Sequence, residues 1–219
     1  MKQTLDQTNP AYFDLVRERT EEKTVLDCFI QTRLLLAHHA PIAHCLDVGC
    51  ASGYLRHHIG DLVGTYHGLD ASPAFVRYGR EALAREGVEN AEIHHGWFET
   101  FSPPQPFDAL ICLGLFYIFP NFHSVLDRMM AMTRKAIVIR SLFAEKTEIR
   151  YVPEMPGSET WTYYNIYGVD AVTRFIEERN WQARWHEDDY VQRVGGYYET
   201  AGLPFPFKFL ELVPQAMVP

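Results

Sequence analysis

The residues most open to a chemical reading are two aspartates and the small residues between them. Leu46-Asp47-Val48-Gly49-Cys50-Ala51-Ser52-Gly53-Tyr54-Leu55 closes a short apolar run, and its D-x-G-x-x-x-G spacing reads as a strand breaking into a tight turn. Gly49 and Gly53 lack a Cβ, so the backbone can turn sharply and approach a ligand, while the helix that follows presents free N–H groups. Asp70 lies 17 residues beyond Gly53, at the end of a second short strand. A carboxylate there can accept both hydroxyls of a ribose, a bidentate contact that neutral side chains reproduce poorly. Alone, Asp70 suits a turn or a helix N-terminus equally well, so its meaning lies in the spacing. The turn departs from the G-x-G-x-x-G of dinucleotide enzymes, whose pyrophosphate needs a glycine-richer approach.

The elements that must position these residues alternate. Apolar side chains at Phe13, Val16, Val25, Phe29, Ile30 and Leu34 recur at helical intervals until Pro41, giving one or two leading helices. Ala43 to Val48 is the first strand. After the strand ending at Asp70, Ser72 is a good N-cap and Pro73 a good first residue for a helix reaching about Glu86. Strands follow at Ala91 to His95 and Phe107 to Cys112, then a helix from about Phe122 to Thr133 and a β-branched strand, Ala136 to Ile139. This alternation predicts an α/β three-layer sandwich: a mostly parallel seven-stranded sheet with an antiparallel last strand and helices on both faces. Later segments are a helix with Val172, Phe175 and Ile176, a strand near Gln182 to His186, a loop with Gly195-Gly196, and a last strand, Phe207 to Leu212.

The 219 residues, 47% hydrophobic and 22% charged, suit one domain. Its expected parts are a helical cap (1–41), a ligand-binding core (42–141), an insertion or lid (142–170) and a C-terminal helix with strands (171–219). A net charge of −8 without a basic run argues against nucleic acid as a partner. Met1 to Asn9 is polar and no apolar run approaches the ~20 residues of a membrane span, so a cytoplasmic protein without membrane attachment is expected, as monomer or homodimer. Cys28, Cys45, Cys50 and Cys112 form no C-x-x-C pair. Adjacent pairs such as His38-His39, His57-His58 and His94-His95 point to different faces, and H-E-x-x-H is absent, so no metal is expected.

From Leu46 to Ser141 the sequence resembles the class I S-adenosylmethionine-dependent methyltransferases, whose first motif is commonly (E/D)-x-G-x-G-x-G; Ala51 stands where that family usually has its middle glycine. The resemblance implies S-adenosyl-L-methionine as cofactor, leaving as S-adenosyl-L-homocysteine. It puts the backbone of Gly49, Cys50, Ala51 and Gly53 against the methionine part, with Asp47 as a nearby anchor. It puts Asp70 on the ribose, Ala71 and Ser72 on the adenine side, and Trp97 and Phe98 where the family often has a polar adenine contact. Those two rings can pack on adenine or be core, and Glu99 can supply a polar contact. Leu113, Gly114 and Leu115 match the turn behind strand four and lie by the methionine part. The N-P-P-[YF] motif of enzymes acting on nucleobase or glutamine nitrogens is missing there. The implied reaction is in-line methyl transfer to a small-molecule acceptor; a protein or RNA methyltransferase, or a silent cofactor-binding module, is the alternative.

Such a displacement needs positioning more than a dedicated catalytic group. If the acceptor is a hydroxyl a base helps, and Tyr117, His123 and Tyr167 are candidates, with packing the other reading of each. Arg140, after Ile137-Val138-Ile139, can hold an anionic group of the acceptor or form an edge salt bridge. The stretch Trp161 to Gly168, with Tyr163, Tyr164 and Tyr167, suits an acceptor pocket, a lid or a subunit interface. Tyr12 and Phe13 on the leading helix are expected to cap the site.

Overall fold

The computed structural model describes residues 10–153, 161–189 and 207–215; the Gly195-Gly196 loop and Met1 to Asn9 lie outside them. The chain divides into two compact units, Met1–Ile111 and Cys112–Pro219.

In the first unit α1 (Pro10–Glu21) and α2 (Asp27–Ala37) precede β1 (Ile42–Val48), the four-residue α3 (Arg56–Ile59), β2 (Val63–Asp70), α4 (Pro73–Arg85), β3 (Ala91–His95) and β4 (Phe107–Leu113), whose last two residues fall in the second unit. The strands run parallel, β2 pairing with both β1 and β3, and β1 with β4. Cys45 to Val48 of β1 and Phe107 to Cys112 of β4 are wholly buried, as expected of parallel strands covered on both faces. Helix α4 begins where the sequence places it: the Ser72 hydroxyl accepts from the Phe75 N–H at 3.2 Å, and Pro73 follows. Phe75, Val76, Gly79, Ala82 and Leu83 form its buried face, and Val76 and Leu83 pack with Cys50 and Ile93.

The second unit contains a short 3-10 turn (Phe116–Ile118), α5 (His123–Ala131), β5 (Thr133–Ala144), β6 (Tyr151–Pro153), β7 (Trp161–Tyr163), β8 (Tyr167–Gly168), α6 (Val169–Glu177), β9 (Trp181–Glu187) and β10 (Phe207–Pro214). β10 runs antiparallel to both β5 and β9, β8 runs parallel to β5, and β6 with β7 forms a separate two-stranded sheet. The antiparallel last strand is therefore as expected.

Among the described residues the main sheet has eight strands in the order β3-β2-β1-β4-β5-β10-β9, with β8 on β5. The expectation of seven misses β8, which at two residues is too short to show any alternation. β5 is also longer than its apolar heart suggested, because Arg134, Lys135 and Arg140 interrupt the run without ending the strand. Among the described residues no helix is long and apolar enough to cross a membrane.

Gly79 marks the closest approach of α4 to the turn after β1. A Cβ there would stand 2.6 Å from the Ser52 carbonyl oxygen and 2.6 Å from Ile93 Cδ1. Alanine normally stabilises a helix interior by about 1 kcal/mol over glycine. Gly79→Ala is instead expected to lower stability by about 1–3 kcal/mol, the usual cost of overpacking, measured by urea denaturation.

Candidate functional site

The turn after β1 is built from left-handed residues. Gly49, Ala51 and Gly53 have φ of 77°, 51° and 75°. Two are glycines, for which this region costs nothing, and Ala51 carries the strain of a side chain there. The backbone groups expected to face a ligand are used within the protein: the Gly49 and Cys50 N–H groups both donate to the Leu69 carbonyl, at 2.8 and 3.2 Å. The Cys50 side chain points into the core beneath α4, so only its backbone faces the turn.

Asp70 holds this arrangement together. Its Oδ2 accepts from the Ala51 N–H and its Oδ1 from the Ser72 N–H, both at 2.8 Å. The next strand end is tied in as well, since the Gly96 N–H donates to the Asp70 carbonyl at 2.9 Å. An ionised carboxylate is acceptor-only and can take several hydrogen bonds at once. The residues thus fit a nucleoside: an oriented carboxylate at a strand end, beside a turn without bulky side chains.

Asp47, the nearby anchor that the resemblance implies, lies behind the turn. It is only 4% exposed, and the Tyr66 hydroxyl donates to its Oδ2 at 2.5 Å. Burial raises its pKa to about 7, against the lowering effect of the Tyr66 hydrogen bond, and the Asp70 charge raises it further. The buried Tyr66 phenol is in turn pushed up, first by burial and then by Asp47.

Helix α1 covers the turn. Val16, Ala51 and Phe75 form one cluster with Tyr12, Phe13 and Tyr54 against it, and the Phe13 and Phe75 rings stack at 5.7 Å. The Thr20 and Ser52 hydroxyls hydrogen-bond at 2.6 Å. The Tyr12 phenol is raised, mainly by burial and in part by the Asp70 charge, which puts it in electrostatic reach of that carboxylate. At the end of β3, Trp97 is 36% exposed, whereas Phe98 is 4% exposed and belongs to the core. His95 bonds through Nε2 to the Ala71 carbonyl at 3.1 Å.

In the second unit, Leu113, Gly114 and Leu115 are each half-buried, with Gly114 left-handed and its N–H donating to the Arg140 carbonyl at 2.9 Å. Tyr117 and Tyr164 meet with ring centres 4.6 Å apart, and Phe207 lies 6.3 Å from Tyr117. Burial raises the Tyr164 phenol, against the lowering effects of its Tyr117 hydrogen bond and the Arg140 charge. Arg140 takes the salt-bridge reading: its Nε donates to the buried Asp188 at 2.5 Å, and its guanidinium carbon sits 4.0 Å from the Phe207 ring centre. No sequence spacing links Arg140 to Asp188.

The other candidates lie elsewhere. Tyr167 is 1% exposed and donates to the Phe119 carbonyl at 2.5 Å, with Asn165 Nδ2 donating to its hydroxyl at 3.2 Å. Burial raises it to about 12, so its place is structural and a base is not expected there. The exposed His123 stacks on Phe122 at 4.0 Å and meets the edge of Phe175 at 4.9 Å. Tyr163 belongs to the β6–β7 hairpin, against Tyr151.

Residues 45–136 match a family described as a methyltransferase domain. A dTDP-3-amino-3,6-dideoxy-alpha-D-glucopyranose N,N-dimethyltransferase from Streptomyces fradiae is 35% identical over 80 residues, covering 36% of this chain; the chain spans 29% of that relative's length. Among solved structures, an S-adenosylmethionine-dependent methyltransferase from Clostridium acetobutylicum superposes with a TM-score of 0.62 at 7% identity, covering 94% of this chain and 98% of the other. CalS10, an amino pentose methyltransferase from Micromonospora echinaspora with S-adenosylmethionine bound, gives 0.59 at 15% identity, covering 92% and 96%. The chain thus shares the mostly parallel α/β fold of these two structures.

The Asp47 carboxyl makes the stability of the fold depend on pH. Its folded pKa of about 7 stands above the ordinary 3.8, so between about pH 4 and 7 the folded state keeps a proton that the unfolded chain has lost. Rising pH therefore removes stability across that window and no more above it. Asp47→Asn, which cannot ionise, is expected to gain in melting temperature over the unmutated protein as pH goes from 5 to 8; calorimetric melts check this.

Proposed function

We propose that this chain is an S-adenosylmethionine-dependent methyltransferase with a small-molecule acceptor. The observation that carries the reading is the Asp70 carboxylate, fixed by the Ala51 and Ser72 N–H groups beside the left-handed turn. When bound, the cofactor supplies a methyl group on a sulfonium and leaves as S-adenosylhomocysteine. Asp70 takes the ribose hydroxyls, which fixes the cofactor's position. Trp97 offers a face to the adenine, and Tyr12, seated edge-on to Phe75, shields the ribose side from water. These residues do the work such a transfer needs from a protein, which is orientation in a water-poor site.

Acceptor recognition we assign to Tyr117 and Tyr164. A phenol raised by burial keeps its proton at neutral pH, so Tyr164 serves as a hydrogen-bonding group and not as a base. That favours an acceptor that needs no strong base, such as a neutral amine. The names of the Streptomyces fradiae relative and of CalS10, both referring to amino sugars, point the same way. An amino sugar carried on a nucleotide is the first acceptor to try.

Calorimetry with S-adenosylhomocysteine is expected to give one site, with affinity reduced at least thirtyfold in Asp70→Ala and no heat with NADH. This corresponds to about 2 kcal/mol, the range for a charge-assisted contact. Absence of heat with the unmutated protein sinks the assignment. With labelled cofactor and an amino-sugar nucleotide, Tyr117→Phe and Tyr164→Phe are expected to raise KM for the acceptor and leave cofactor affinity unchanged. Equal loss of both would remove these tyrosines from acceptor recognition.

A further inference from the structure

Away from the cofactor turn, three side chains on β2 and β3 converge. His67 Nδ1 lies 3.4 Å from His94 Nε2 and 3.8 Å from Glu92 Oε2, and the last two are 3.6 Å apart. The point equidistant from all three sits about 2.1 Å from each, which matches zinc–nitrogen and zinc–oxygen bond lengths. We propose that His67, Glu92 and His94 form a zinc(II) site that clasps the edge strand β3 to β2.

The pattern follows from strand geometry. Glu92 and His94 are two apart on β3 and so share a face, and in register His67 lies opposite Glu92. Asp70 is on the other face of β2, three residues on, so the zinc site is separate from the nucleoside site. The two imidazoles stack within 12° of parallel at 5.6 Å. Phe107 lies 5.3 Å from His67 and Phe101 5.6 Å from His94. These rings limit imidazole rotation, so the nitrogens are held near their positions before any ion arrives. Side-chain exposures of 17% for His67, 34% for His94 and 62% for Glu92 leave an open side for entry and for a water as fourth ligand. Burial is the main cause lowering both histidines below their ordinary value. A metal ligand must be a neutral imidazole, and burial favours that form. Two imidazoles and one carboxylate suit zinc and its neighbours in the first transition row, and do not suit magnesium.

The site escaped the sequence reading because its ligands come from two strands. His67 stands 25 residues before Glu92, and the short spacings that mark zinc motifs describe ligands on one turn or helix.

The test is zinc chloride titrated into chelator-treated protein by calorimetry, with Glu92→Gln and His94→Gln as variants. A His38→Ala, His39→Ala double variant serves as control for surface histidines. Glu92 is exposed, so its variant keeps the fold whatever the effect at His94; circular dichroism melts confirm this for each. One zinc per chain is expected, with affinity lowered about tenfold or more in both variants, at least the cost of losing a partner to a metal ligand, and unchanged in the control. Magnesium should give no heat, and zinc should raise the melting temperature of the unmutated protein and of the control by the same amount, and that of either ligand variant by less. No zinc binding by the unmutated protein, full affinity in either variant, or loss of affinity in the control overturns the site.

Discussion

The first unit depends on one carboxylate closing a loop in the backbone. Asp70 reaches from the end of β2 to the N–H of Ala51 in the turn after β1 and to the N–H of Ser72 at the start of α4. Two strand ends and a helix start are thereby fixed to one side chain. A charged acceptor roughly doubles the strength of such bonds, which suits a turn that must hold Ala51 in a left-handed conformation. The same geometry presents an oriented anion at the carboxyl end of a parallel sheet, where α/β proteins bind their ligands. Structure and the proposed binding draw on the same two hydrogen bonds.

That economy brings a cost nearby. Asp47 sits behind the turn, buried, with Tyr66 as its hydrogen-bond donor and Asp70 as a like charge. Helix α1 and the Phe75 cluster exclude water from this region, which strengthens every interaction within it and also raises the expense of an ionised Asp47. The acidic pair thus separates into a fixed, oriented carboxylate at the strand end and a proton-holding one beneath it.

How much of this is legible in the sequence depends on range. Gly49, Gly53, Ser72 and Pro73 act through local backbone preference, so their spacing alone marks the turn, the cap and the helix. Asp70 is legible because the second strand must end where the first one does. Contacts that join distant strands leave no comparable trace. Tyr66 on Asp47, Asp188 on Arg140, and Tyr167 on the Phe119 carbonyl are pairings that sheet register and loop packing decide. For that reason the sequence leaves Tyr167 and Arg140 open between acceptor and structural roles, while in the structure both are held by the protein itself. His67, Glu92 and His94 are the extreme case: three ordinary strand residues until parallel pairing places their polar atoms together.

If Asp70 and the turn from Gly49 to Gly53 form the cofactor's seat, a crystal structure of the protein with S-adenosylhomocysteine tests it most directly. Both ribose hydroxyls are expected on the Asp70 carboxylate, with the homocysteine end lying along the Gly49 to Ala51 backbone. Ligand bound elsewhere, or with its ribose out of hydrogen-bond reach of Asp70, would contradict that assignment.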